Sequence, residues 1–362
     1  MKKNYFLAIG VAALMLATTV AQAADITFSG QFRPRYNIAE DANDSTTSRS
    51  YFDTRVRLNA AANINANTSI FLQMQSNGAW GNSAAAGGDR DSSAGSDTLN
   101  DVGFHQAFVT YKNFMGQAVD MKIGRQEVVL DGHRLFGHTG WTTGAQTNDA
   151  IRLNHSAGNH TLNYVYVASS ESGSIANSIE TNANVNYHVA RAATQGVLGG
   201  NLVGYFVVAD LNVEEWYTVG ARQSGKLGGL DYRVEYYHQF GGATTDATSS
   251  DQSTAYGTTA TAASGIDRDA NMFGIRVGKT FKNAAYSPTF TLWYDILSGQ
   301  DDDDVNSDEY GAFHTLQDTG HKFYGLIDNY LSAVGDGTQR YGLQDIALKT
   351  KFKVSDVNTL KI

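Results

Sequence analysis

The sequence contains no cysteine and only 2 prolines in 362 residues. Without thiols the fold has neither disulfides nor thiolate metal sites to lean on. Beyond Val20 no apolar run approaches the roughly 20 residues that a membrane-spanning helix needs, which excludes a helical inner-membrane protein. Basic charge is not in excess either: the net charge is −9, which argues against nucleic acid as a partner. Enzyme signatures are missing as well, with no Gly-x-Ser-x-Gly elbow, no phosphate-cradling glycine loop and no His-Glu-x-x-His pair.

What is present begins at the N-terminus. Lys2 and Lys3 precede an apolar run from Tyr5 to Val20, and Ala21-Gln22-Ala23 supplies a small-x-small cleavage site, so residues 1–23 read as a signal peptide. Residues 24–362 read as one exported domain. Its glycine and tyrosine are abundant, and Asn, Ser and Thr fill the connections.

The dominant period along that domain is two. From Arg49 to Ala60, Phe52, Val56, Leu58 and Ala60 fall on one side, while Asp53, Arg55, Arg57 and Asn59 fall on the other. Similar segments recur near 26–39, 68–80, 101–113, 117–129, 147–155, 160–169, 182–191, 200–210, 214–223, 230–240, 269–281, 288–298 and 342–354. Each approximates the roughly 9 to 11 residues of a tilted membrane strand. Gaps between them alternate, long ones near 40–48, 81–100, 130–146, 170–181, 241–268 and 299–341 with short ones between, apart from a tight join near 211–213. Short turns on one rim and long loops on the other predict an all-β fold, a transmembrane antiparallel up-and-down β-barrel in the outer membrane of a Gram-negative bacterium.

Fourteen segments are followed by Val357 to Ile362, which reads as the start of another strand. An open edge in lipid leaves backbone groups unpaired. The expectation is therefore a barrel incomplete at the C-terminal end, with about 16 to 18 strands in the full protein and a water-filled lumen.

Parity places the charges. If the apolar face meets lipid, Arg33, Arg35, Arg55, Arg57, Lys122, Arg152, Arg222, Arg233, Arg276, Lys349, Lys351 and Lys353 point inward, against fewer inward acids: Asp53, Asp120, Asp231, Glu235, Asp295 and Asp345. Guanidinium forks suit carboxylates, so this wall predicts passage of acidic solutes. Arg55, Arg57, Arg152 and Arg276 are the expected constriction, extended by Arg33, Arg35, Arg233 and Lys349. Arg125 breaks the alternation, falling with Met121 and Ile123, which predicts a strand end or a bulge there.

Two stretches carry a resemblance. Gly124-Arg125-Gln126, then Gly132-His133-Arg134-Leu135-Phe136-Gly137 with Trp141, then Asp149-Ala150-Ile151-Arg152-Leu153 form the first, and Thr319-Gly320-His321-Lys322-Phe323-Tyr324-Gly325 the second. In order and spacing they resemble the alginate-export family of outer-membrane porins. That resemblance implies a barrel of about 18 strands whose electropositive constriction passes a polyuronate.

The expected function is a passive channel for anionic saccharides or other small acidic solutes. A general or cation-selective porin is the alternative, with an adhesin or receptor built from the long loops, or an outer-membrane enzyme, behind it. The implied partners are outer-membrane lipid and lipopolysaccharide, the barrel-assembly machinery during insertion, and the solute. No cofactor or metal is expected: His133 with His138 and His314 with His321 read as hydrogen-bonding loop residues, and Asp301 to Asp304 as a solvated loop without the spaced ligands of a calcium site.

Overall fold

The structure, a computed structural model, describes residues 26–41, 44–80, 102–172, 185–211, 214–243, 266–299, 309–324, 342–355 and 358–361. The signal segment, Asp301 to Asp304 and most of the stretches 81–100, 241–268 and 325–341 lie outside them. The described strands are β1 (Ile26–Asp41), β2 (Asp44–Asn63), β3 (Thr68–Trp80), β4 (Val102–Tyr111), β5 (Val119–Gln126), β6 (Gln146–Ala157), β7 (His160–Ser172) and β8 (Val185–Val197). They continue as β9 (Gly200–Leu211), β10 (Glu214–Leu227), β11 (Leu230–Ala243), β12 (Ile266–Thr280), β13 (Thr289–Leu297), the two-residue β14 (Glu309–Tyr310), β15 (Leu343–Lys353) and β16 (Thr359–Lys361). One 16-stranded sheet contains them all, each strand antiparallel to its sequence neighbours except β14, which pairs in parallel with β12. The chain is thus an all-β up-and-down barrel wall.

The fourteen alternating segments are all strands, but several run further than the period shows. The 40–48 connection, read as long, is mostly strand, because β1 reaches Asp41 and β2 starts at Asp44. Likewise the gaps near 192–199 and 224–229 shrink to two-residue turns, Leu198-Gly199 and Gly228-Gly229. All four turn residues have positive φ, from 48° to 79°. That is the type I′ geometry whose twist matches the flanking strands, and glycine adopts it without strain.

Phe28, Phe32, Tyr36, Val56, Leu58, Leu202, Phe206, Leu292, Ile296, Ile346 and Leu348 are exposed on the outer face. That apolar surface is what a barrel presents to lipid.

The inner face is not uniform. From β7 to β13 it carries a buried apolar cluster, with Val165, Val167, Val189, Val203, Val207, Trp216, Tyr237 and Met272, beside a charged group on β10 to β13 in which Glu235, Arg276 and Asp295 are buried. Water would not spare such a face. It is covered by two segments that leave the wall and fold inside the barrel, residues 127–145 and 311–324, whose Val128, Leu130, Leu135, Phe136, Phe313, Leu316 and Phe323 complete the cluster. Burying each large side chain contributes on the order of 1.5 to 3 kcal/mol. The opposite wall, β1 to β4, keeps its polar lining.

Candidate functional site

The first inward segment departs where β5 ends. Gly124 has φ +121°, and a Cβ there would run into the Ala107 carbonyl of the neighbouring strand. Gln126 is buried and its amide donates to the carbonyls of Gly124 and Ala150, at 3.1 and 3.0 Å. Between them Arg125 turns outward as the next-to-last residue of the strand and grips Asp149 with two bonds, of 2.9 and 3.0 Å. Asp149 itself sits at a register shift between β6 and β7. Gly-Arg-Gln and the Asp of the second strand therefore fix the two roots of the segment.

From there it runs as a strap across the lumen, held on opposite walls. Asp131 accepts from Arg191 of β8 at 2.7 and 2.5 Å. Arg134 is buried, donates to Glu235 of β11 at 3.2 and 3.1 Å and pairs with Asp295 of β13. Its guanidinium also lies 3.9 Å from the ring centre of Phe323. At the other wall Arg33 donates to the carbonyls of Gly140, Trp141 and Thr142 at 2.7 to 3.1 Å. Arg55 reaches Gly140 and Thr142, Arg35 reaches Trp141, and Gln75 reaches Gly144. Arginine suits this work, since its fork spans successive carbonyls.

The second inward segment lies along the strap. Gly137 N donates to Gln317 O, Gln317 N to Leu135 O and Thr319 N to His133 O, at 2.7 to 3.1 Å. Its own anchors are His314, which exchanges bonds with the Gln239 side chain, and Ala312, whose carbonyl accepts from Arg268. Trp141 stacks on His321, and Lys322 donates to Gly132 O at 3.1 Å. The two motif stretches, remote in sequence, thus form one partition inside the barrel.

Between this partition and the β1–β3 wall remains a cavity of about 500 Å³, lined by Gln31, Arg33, Arg55, Arg57, Glu127, His133, His138, Gly140, Trp141, Thr319, His321 and Lys322. Arg57 donates to Gln75 at 2.7 Å and to Glu127 at 3.3 Å. A register shift at Gln73/Met74 turns His105 inward, where its Nε2 stands 2.8 Å from Arg57 Nη2 and 3.0 Å from Glu127 Oε1. One nitrogen serves either partner, not both, because arginine only donates and a carboxylate only accepts.

Burial, Lys322 and His138 push the His133 imidazole down to about 4, so it is neutral near pH 7. Burial also lowers Lys322, helped by Arg233 and Arg222. On Glu127 burial acts upward, but the bond from His105 and the charges of His138 and Arg57 outweigh it and hold the carboxyl below its usual range. Asp318 goes the other way, pushed up to about 7 by burial against the pull of Arg134.

The residues expected at the constriction are thereby divided. Arg33, Arg55 and Arg57 line the cavity, and Arg35 flanks it over Trp141. Arg222, Arg233 and Arg276 lie behind the strap, around Glu235 and Asp295. Arg152 is opposite Lys122 on the β5–β6 pair, and Lys349 stands over the Trp293 ring at 3.5 Å. Lys351 is exposed near the short-turn rim, opposite Lys361. Glu127, His105 and Gln75 were not singled out from sequence. Glu127 directly follows Gly-Arg-Gln, which is the signal that would have found it.

Among the described residues no group of three or more His, Asp or Glu side chains is placed to hold a metal. No curated protein matches the chain by sequence. In fold it is similar to Acinetobacter baumannii OccAB1, at 13% identity and TM-score 0.56 over 91% of this chain and 76% of that one. It is also similar to Pseudomonas aeruginosa OccK8 (OprE), at 12% identity and TM-score 0.54 over 91% and 79%. The family profile described as "Alginate export" matches residues 24–356. With that match over nearly its whole length, the chain belongs to the alginate export family and is a porin-like channel of the Gram-negative outer membrane, not an enzyme.

Proposed function

We propose that the channel passes small acidic solutes and anionic saccharides, polyuronate segments among them, through the slot between the strap and the β1–β3 wall. One observation carries this reading: Arg33, Arg55, Arg57 and Lys322 line the slot against a single acid, Glu127. A narrow wall with that balance raises the local concentration of anions, and guanidinium groups replace part of a carboxylate's hydration. Passage is by diffusion, with selection by width and field. Arg33 and Arg55 already donate to strap carbonyls. An incoming carboxylate is therefore a stronger acceptor competing for donors held in place beforehand.

A general porin is the second reading. It is favoured by those same carbonyl bonds, which give the arginines a purely mechanical use. Single-channel recording of the purified protein in a planar bilayer under a salt gradient, with and without oligouronate, separates the two. Anion preference and block by the oligomer, both weakened in Arg57→Gln, support the acidic-solute channel. Equal or cation-biased permeability without block leaves the general porin.

A further inference from the structure

Behind the strap guanidinium groups outnumber the carboxylates they pair with. Among the described residues, Arg134, Arg222, Arg233 and Arg276 have only the carboxylates of Glu235 and Asp295 within ion-pair distance, four cations to two anions, while Asp318 and Asp345 act on Arg134 from further away. The pairing is uneven. Arg134 and Arg276 hydrogen-bond their carboxylates. By contrast Arg222 Nε stands 3.8 Å from Glu235, and Arg233 Nη2 at 3.3 Å is not aligned for a hydrogen bond. Buried donors without acceptors are costly, so the pair Arg222 and Arg233 is where an added acceptor gains most.

Both arginines close around Gly132 of the strap. A Cβ there would lie 2.9 Å from Arg233 Nη1 and 3.9 Å from Arg222 Nη2, so only glycine lets the Arg233 guanidinium come this close to the strap backbone. Lys322 reaches the same residue, bonded to its carbonyl, and it also lines the front cavity.

We propose that Arg222, Arg233 and Lys322 form a second anion-binding station, which takes a carboxylate or similar oxyanion of the permeating solute on the far side of the strap. The proposal rests on the acidic-solute reading above and adds a second stop to it. Lys322 faces both stations, so an acidic group leaving Arg33, Arg55 and Arg57 meets the second site without returning to bulk water. Arg134 and Arg276 hold the carboxylates in place and do not meet the solute.

The test uses the full chain in planar bilayers with D-glucuronate and, separately, inorganic phosphate as probes. Binding constants come from current fluctuations in single channels. Wild type is expected to show two constants. In the Arg222→Gln, Arg233→Gln double variant one of them weakens roughly tenfold or more, the factor that losing charge-assisted hydrogen bonds carries. Arg55→Gln weakens the other. Arg233→Lys, which keeps the charge, retains most of the second constant, and heat-modifiable gel migration establishes that each variant folds. A double variant with both constants intact, or a wild type with one constant that Arg55→Gln alone removes, overturns the second station and leaves the acidic-solute channel standing. A wild type that neither probe affects overturns both.

Discussion

Trp141 and His321 lie face to face, their ring centroids 4.2 Å apart and their planes 4° from parallel. Trp141 belongs to the segment that follows β5, His321 to the one that precedes β15. Arg35 of β1 stands 5.1 Å from the centre of the Trp141 ring. The wall, the strap and the second inward segment are therefore joined in one column of rings and a cation, at the edge of the open slot.

Both rings of that column line the slot. Replacing either ring by alanine is expected to weaken the partition by roughly 0.5 to 1.5 kcal/mol, and to raise single-channel conductance. The two changes act on one contact, so the double variant Trp141→Ala, His321→Ala should lose less than the two single losses combined. Thermal unfolding, followed by heat-modifiable migration, measures the cycle. Additive losses would mean that the stacking carries no energy.

Arg134 is the heavier anchor. Arg134→Ala removes the hydrogen bonds that Glu235 and Asp295 accept from it, while Arg233 and Arg276 still offset their charge, a change that costs on the order of 1.5 to 3 kcal/mol per charged hydrogen bond lost. The expected result is a lower unfolding temperature together with larger, noisier channel openings as the strap loosens. Arg134→Lys should restore little, because one ammonium cannot meet two carboxylates as the fork does.

Two strap-side groups titrate with opposite sign. The His133 imidazole is lowered in the fold to about 4, so its contribution to stability is present above the usual histidine value and is lost as pH falls toward 4. Asp318 is raised to about 7, so its contribution is present below the usual carboxylate value and is lost as pH rises toward 7. Between about 4 and 6.5 the two slopes oppose each other. Unfolding temperature measured against pH should therefore be flatter in wild type than in either variant. Asp318→Asn should leave only the rise with pH due to His133, and His133→Gln only the fall due to Asp318. Parallel profiles in all three proteins would show that neither group titrates with the fold.

The barrel wall was legible because lipid imposes it: Phe52, Val56 and Leu58 must alternate with Asp53, Arg55 and Arg57 if one face meets hydrocarbon. The partition was not legible, because strap residues such as Leu135 and Phe136 have no period, and their burial depends on Phe313 and Phe323 far along the chain. Parity gave a face for Arg222 and Arg276 but no height and no partner, so their pairing with Glu235 and Asp295 emerged only in three dimensions. Arg125 broke the alternation for a physical reason. It answers Asp149 across the strand pair, at a strand end and beside a register shift.

Glu127 gives the sharpest test of how the slot selects charge. It is the one acid among the slot's lining residues, and His105, His138 and Arg57 keep it ionised, so it offsets part of the field that Arg33, Arg55, Arg57 and Lys322 create. Glu127→Gln keeps the size and most of the hydrogen-bonding shape while removing that charge. Arg57 then faces the slot with its charge uncompensated. The anion-to-cation permeability ratio, read from the reversal potential in a salt gradient, should rise about two- to fivefold, the factor that roughly 0.5 to 1 kcal/mol of partly screened interaction carries. Block by a uronate should lengthen as its release slows. Arg57→Gln should move both quantities the other way. If Glu127→Gln changes neither while Arg57→Gln changes both, Glu127 serves only to position Arg57 and His105, and the field that sorts ions is set by the arginines alone.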